Sequence, residues 1–136
     1  MYGQTYRILI AVHPDAVERT QRILDGHNLR IVKSIDEGKV SLDADGADLI
    51  FVGARFDESR MFEFLEYLRL HERHRQIPVA ACILVPTTMT HATVEGLSHT
   101  AKLYGARVFL NLNDFPDEPA QNKRVRLLIE AVLAPT

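Results

Sequence analysis

The residues of this 136-residue chain that could do chemistry are few, and most of them follow apolar runs. His13-Pro14-Asp15, Ser34, Gly53-Ala54-Arg55, Pro86-Thr87-Thr88 and Asn111-Leu112-Asn113 each sit where a β-rich run turns polar. A displaced carboxylate site could draw on Asp15 and Asp57. Acidic residues at helix starts also accept free backbone N–H groups, and that is the reading adopted: Asp15 caps the first helix, and Asp57 with Glu58 the third. In "HERHR" His71 and His74 stand at i and i+3, a spacing that suits a metal on one helix face. No cysteine or third histidine is close in sequence, and cations at a helix C-terminus are favourable in themselves, so no metal is assigned. "PTTMTHAT", from Pro86 to Thr93, offers hydroxyls just before a helix. Thr87, Thr88 and Thr90 are its candidate anion contacts. It lacks the glycines of a phosphate loop, and a threonine N-cap accounts for most of it. Cys82 lies inside an apolar run, where a thiol behaves as a small hydrophobe.

The elements that must position these groups alternate along the chain. β-rich apolar runs occur at Tyr6 to Val12, Leu29 to Val32, Asp48 to Val52, Val79 to Val85 and Arg107 to Leu112. Helical spacing marks Asp15 to Leu24, a weak segment near Asp36 to Leu42, Ser59 to His71, Thr90 to Tyr104 and Glu118 to Leu133. Near-continuous apolar strands imply a sheet covered on both faces, hence parallel strands between helices. The expectation is an α/β, doubly wound five-stranded parallel sheet, (βα)5. One domain is expected to fill 1–136, with no output domain.

Composition narrows the function classes. With 46% hydrophobic and 25% charged residues the chain builds one core. A net charge of −2 and a pI near 6.3 give no long-range pull toward nucleic acid or an anionic membrane. One cysteine excludes an internal disulfide and fits a reducing compartment. No signal segment or membrane-length apolar run is present, so a cytoplasmic location is expected.

Five segments together resemble the receiver domain of two-component response regulators, over roughly Tyr6 to Leu133. "RILIAVHPDAVERTQRIL" is similar to that family's first strand and helix, "ADLIFVG" to its third strand and "MFEFLEYLR" to its third helix. "IPVAACIL" is similar to its fourth strand, and "YGARVFLNLNDF" to the end of its fourth helix with the fifth strand. The resemblance implies a flavodoxin-like sheet in the strand order 2-1-3-4-5, and a phosphoacceptor aspartate at the end of the third strand, where this chain has Gly53. It implies an acidic Mg²⁺-binding pair at Val12 and His13, a Thr/Ser switch residue at Ile83, and a lysine and proline at Leu112 and Asn113. Magnesium demands oxygen ligands, which valine cannot supply, and phosphoryl transfer depends on all of these parts. The resemblance is therefore to a degenerate pseudo-receiver, with no enzyme activity and no cofactor. Val12, Ile83 and Leu112 are expected to close the pocket as a plug of core.

Three classes of function remain in view, the least favoured an enzyme of flavodoxin-like architecture, for which the sequence offers no nucleophile with a base, glycine-rich dinucleotide loop or metal cluster. One is a phosphorylation-independent signalling adaptor that contacts a protein partner or a second copy of itself. The resemblance places its interaction face on the fourth helix, fifth strand and fifth helix, with Lys102, Tyr104, Arg107, Phe109, Lys123, Arg124 and Arg126. In a homodimer the basic residues would meet Asp117, Glu118 or Glu130 across the axis. The second is a small-molecule or anion sensor that uses the emptied pocket.

Overall fold

A computed structural model describes residues 4–85 and 88–133. Its five strands are β1 (Arg7–Ala11), β2 (Asn28–Val32), β3 (Leu49–Gly53), β4 (Val79–Ile83) and β5 (Val108–Asn111). They form one parallel sheet in the order β2-β1-β3-β4-β5. Five right-handed helices follow the strands: α1 (Val17–Ile23), α2 (Ile35–Asp45), α3 (Met61–Leu70), α4 (His91–Leu103) and α5 (Pro119–Glu130). The architecture is the flavodoxin-like (βα)5 domain expected from the alternation and the resemblance.

Every residue of β3 and β4 is buried, and so is β1 after Arg7. Period-two alternation divides these side chains between two cores. Leu9, Ala11, Ile50, Val52, Val79 and Ala81 face α2, α3 and α4, where they meet Leu42, Phe64, Leu65 and Ala101. Ile8, Ile10, Leu49, Phe51, Ala80 and Cys82 face α1 and α5, where they meet Ile23, Val125 and Ile129. Phe51 pairs in register with Ala80, and Phe109 with Ala81, so the small residues of β4 leave room for the rings beside them.

The helix ends explain several polar residues. Ser34 Oγ accepts the Glu37 N–H (3.1 Å), and the Glu37 carboxylate reaches back to the Lys33 N–H (2.8 Å). This is a capping-box arrangement shifted by one residue at the second contact. α2 needs it, because Gly38 weakens the helix. A Cβ at Gly38 would lie 3.1 Å from the Phe64 ring, so the glycine lets α2 and α3 approach. Asp57 completes the cap from across the fold by accepting the Ile35 N–H (2.8 Å). Arg60 holds the same carboxylate with two contacts of 3.0 Å.

This corrects the expectation that Asp57 and Glu58 cap the third helix. Asp57, Glu58 and Ser59 have φ of +48°, +58° and +64°, so Phe56–Ser59 is a single left-handed helical turn, closed by the Arg60 N–H on the Phe56 carbonyl (2.8 Å). L-residues there are strained by roughly 1 to 2 kcal/mol each. The buried Phe56 ring and the Asp57 contacts to α2 hold the turn in place. The first-helix cap also differs. His13 Nδ1 accepts the Asp15 N–H (3.0 Å) to open the 3-10 turn Pro14–Ala16, while the Asp15 side chain stays in solvent.

The turn makes two predictions of opposite sign, both read by denaturant unfolding. Glu58 is exposed, and Glu58→Gly should raise stability by about 0.5 to 1 kcal/mol, because the relieved strain exceeds glycine's greater unfolded entropy. Asp57→Ala should lower it by about 1 to 2 kcal/mol. The Ile35 N–H, opposed by burial and joined by Arg60, holds the Asp57 carboxyl below the ordinary carboxylate range. Its contribution is therefore complete above the unfolded value of about 3.9 and is lost as pH falls through the lower folded value. The gap between native protein and Asp57→Ala should narrow in acid.

Candidate functional site

In a doubly wound sheet the carboxyl ends of the strands form the crevice where a site would lie. Here that rim is apolar. Val12, Ile83 and Leu112 are each 1% exposed, and Gly53 is buried between them in the sequence of strand ends. A Cβ built at Gly53 would lie 3.2 Å from Leu84 Cδ1 and 3.6 Å from Val12 Cγ1. The side chain over Gly53 is therefore Leu84, the residue after Ile83. Ile83 and Leu112 are buried as expected but do not line the remaining depression, whose walls are His13, Ala16, Gly53, Ala54, Arg55, Leu84 and Val85. Its volume is about 10 Å³, at most the space of one water.

Most of the polar residues at this rim are committed to the fold, and Arg55, on the wall of the depression, is exposed. His13 caps a turn, and Ser34 caps α2. Thr90 Oγ1 accepts the Thr93 N–H (3.2 Å) and caps α4, Thr88 is exposed, and Thr87 lies outside the described residues. Cys82 is fully buried with its Sγ 3.4 Å from the Val52 carbonyl, and burial pushes its thiol well above the usual range. Such a thiol is unreactive.

At Leu112 the receiver pattern has a lysine; the cation here comes from α1. Arg19 Nε donates to Asn122 Oδ1 (3.1 Å), and its other nitrogens donate to the carbonyls of Leu112 (3.4 Å), Phe115 (2.5 Å) and Pro116 (3.4 Å). Burial lowers its pKa, Asp117 opposes the shift and Arg22 adds to it. Asp117 is in turn held below the carboxylate range, chiefly by the Asn122 amide (2.8 Å), against burial and with help from Arg22 and Arg19. Arg19 thus fixes the loop after β5. Nothing local in "ERTQ" announces this, since all its partners lie 93 or more residues away.

The expected interaction face divides. Lys102, Arg107, Lys123 and Arg124 are exposed. Tyr104 and Phe109 are half-buried against the core, and Tyr104 packs on Phe62 (5.8 Å) with the Arg69 guanidinium above it. Arg107 donates to the Val132 carbonyl (3.2 Å), and Arg124 lies over the Phe115 ring (5.6 Å). Arg126 leaves the face: it binds Glu130 (2.9 Å) and the carbonyls of Ile23 and Asp25, joining α5 to α1. Of the acids expected opposite, Glu130 is held by Arg126 and His27, and Asp117 by Arg22. Glu118 remains exposed. Large apolar side chains also stand exposed here: Leu103 on α4, at 69%, which belongs to the expected face with Thr100, and Leu127 and Leu128 on α5, at 57% and 41%, which the sequence reading left out.

No protein-family model matches this sequence, and no curated protein matches it. Its likeness is to solved structures. A chain from Chloroflexus aurantiacus assigned as a response regulator aligns over 97% of this chain and 100% of its own, at 16% identity and a TM-score of 0.74. The receiver domain of NtrX from Brucella abortus aligns over 96% and 99%, at 19% identity and 0.71. An orphan response regulator of H. pylori aligns over 94% and 96%, at 19% and 0.67. In a longer NtrX chain the match spans 28% of the partner. The fold is that of response-regulator receiver domains. The phosphorylated phytochrome response regulator RcpA shares it, with a TM-score of 0.71, so fold likeness does not separate switched from unswitched receivers.

The site geometry makes a direct prediction. Gly53→Asp should lose about 1 to 2 kcal/mol of stability, since the Leu84 side chain must give way and the carboxylate is set against Leu84 and Val12, with His13 and Arg55 on the walls of the depression. Neither native protein nor this variant should gain a phosphoryl group from acetyl phosphate and Mg²⁺. Intact-mass spectrometry checks this, and an adduct in either would count against the closed site.

Proposed function

We propose that this chain is a cytoplasmic, phosphorylation-independent receiver-like signalling adaptor that acts by protein–protein contact and not as an enzyme. The observation that carries the reading is Leu84 seated on Gly53. A receiver whose phosphoacceptor position is glycine under an apolar lid has no place for the phosphoryl group or its magnesium. Its surface is then the part left to carry information. The alternative, an anion or small-molecule sensor in the same pocket, is disfavoured by the volume of about 10 Å³, which is the space of one water and less than a phosphate-sized anion or an organic ligand fills.

The surface proposed for contact is made by α4, β5 and α5, and its occupant is a second copy of the chain. β5 is an edge strand paired only to β4, and the helices before and after it in the chain, α4 and α5, carry the exposed apolar side chains of Leu103 and Leu128. Lys102, Arg107, Lys123 and Arg124 surround them. Apolar anchors ringed by arginines suit a contact surface. With Asp117 and Glu130 engaged within the chain, the apolar pair must supply most of the association energy and Glu118 the charge complement. No helix among the described residues is long and apolar enough to cross a membrane, and the near-neutral charge offers nucleic acid no general attraction.

Sedimentation velocity at micromolar concentration tests the proposal. The native chain should run as a dimer that buries about 1,600 Å² in all, and Leu103→Glu or Arg124→Glu should shift it at least tenfold toward monomer without loss of helix content. A native chain that stays monomeric would overturn self-association.

A further inference from the structure

A second cluster lies at the opposite end of the sheet, near the start of β4. The turn after α3 is tightly wound, with the N–H groups of His74 and Arg75 both on the His71 carbonyl (3.0 Å each) and the Ile77 N–H on the His74 carbonyl (3.0 Å). This winding stacks the two imidazoles, with centroids 4.1 Å apart and planes 13° from parallel. α2 brings a carboxylate to the pair, and His74 Nε2 lies 3.1 Å from Asp43 Oδ1. Donor atoms of Asp43, His71 and His74 all fall within 4.8 Å of one another. The His74 side chain is 3% exposed and that of Asp43 54%, so the cluster is anchored in the fold and open to solvent on its acidic side.

We propose that Asp43, His71 and His74 form a three-ligand site for a divalent transition-metal ion of the zinc type, which clasps the end of α2 to the turn after α3. Two imidazole nitrogens and one carboxylate oxygen are the donor set that Zn²⁺ accepts, with water as a fourth ligand. Magnesium, which requires oxygens, is the wrong ion for it. Ligands about 2.0 to 2.1 Å from a tetrahedral ion stand roughly 3.3 to 3.5 Å from each other. The Asp43–His74 pair, at 3.1 Å, is a few tenths of an ångström short of that spacing, and His71 must close by an ångström or so and turn out of its stack on His74, because two near-parallel rings cannot both point an in-plane lone pair at one ion. His71 is half-buried just after the end of α3, and its Nδ1 holds only the Arg73 N–H at 3.3 Å, so what resists that turn is its ring contacts with His74 and Tyr67. Capture exchanges the hydrogen bond between His74 Nε2 and Asp43 Oδ1 for two bonds to the cation, with the imidazole N–H carried on Nδ1. The Tyr67 ring walls one side, 5.3 Å from His71 and 6.1 Å from His74, with Lys39 Nζ 4.7 Å above it. That ammonium and Arg73 limit the affinity.

Titration of the full chain with Zn²⁺, read by competition against a chromophoric chelator, decides the matter, with Co²⁺ absorption as the geometric readout. One equivalent should bind, and the cobalt form should show the intense visible bands of a four-coordinate ion. His71→Ala and Asp43→Asn should each weaken binding at least about tenfold. His74 is left intact in both, so that its burial does not enter the comparison. His91→Ala and His99→Ala, which remove exposed imidazoles on α4, should leave binding unchanged. Absence of saturable binding, binding that survives both Asp43→Asn and His71→Ala, or binding lost with His91 or His99 would each overturn the site.

Discussion

Two-sided burial of β1, β3 and β4 is the constraint from which the rest of the molecule follows. A strand covered on both faces has no position for a polar side chain, so the sheet interior is restricted to aliphatic, aromatic and small residues. Whatever is polar must lie at a strand end, on a helix or in a loop. In a receiver-like fold the carboxyl rim is where charge normally collects. In this chain the apolar character of the sheet continues one residue further, through Val12, Gly53 and Leu84, and the rim is sealed. The glycine is a packing residue: its missing side chain is the space that Leu84 occupies.

With the rim closed, polar groups serve as ties between elements. Arg19 holds the loop after β5, Asp57 caps α2 from the far side of a left-handed turn, and Arg126 and His27 dock the last helix. Each spans a gap between segments that do not follow one another in the chain. None of the buried side-chain nitrogen and oxygen atoms among the described residues lacks a partner, as close packing requires. Apolar burial supplies the cohesion, and these ties set where each helix sits.

The fold was readable because its signals are local. "RILIA", "LIFVG" and "VAACI" are continuous β-rich runs, and the helical spacing of α3, α4 and α5 stands out between them. α2 was faint because Gly38 gives up helix propensity for contact with Phe64, a reason that lies on another helix. The site was legible only in outline. That Gly53 lacks a carboxylate is plain from the sequence, but that Leu84 rather than Ile83 covers it depends on where β4 stops. "DES" reads as an ordinary helix start, and nothing in those letters marks a left-handed turn. Asp43 was missed beside His71 and His74 because α2 and α3 meet only in three dimensions. Arg19 was missed because a single arginine on a short helix reads as solvent-facing.

The two faces of the sheet differ in when they can be covered. The face carrying Leu9, Ile50 and Val52 is roofed mainly by α2 and α3, which leave the ribosome soon after the strands they cover. The other, with Ile8, Ile10 and Phe51, has only the seven-residue α1 until α5 arrives, and the contacts that dock α5, His27 to Glu130 and Arg126 to Ile23, each join residues 103 positions apart. Such distant contacts form late, since the entropy of closing the intervening chain must first be overcome. During synthesis, then, half of this sheet stays uncovered until α5 has left the ribosome, and the nascent chain is most exposed to misassembly while that helix is still missing.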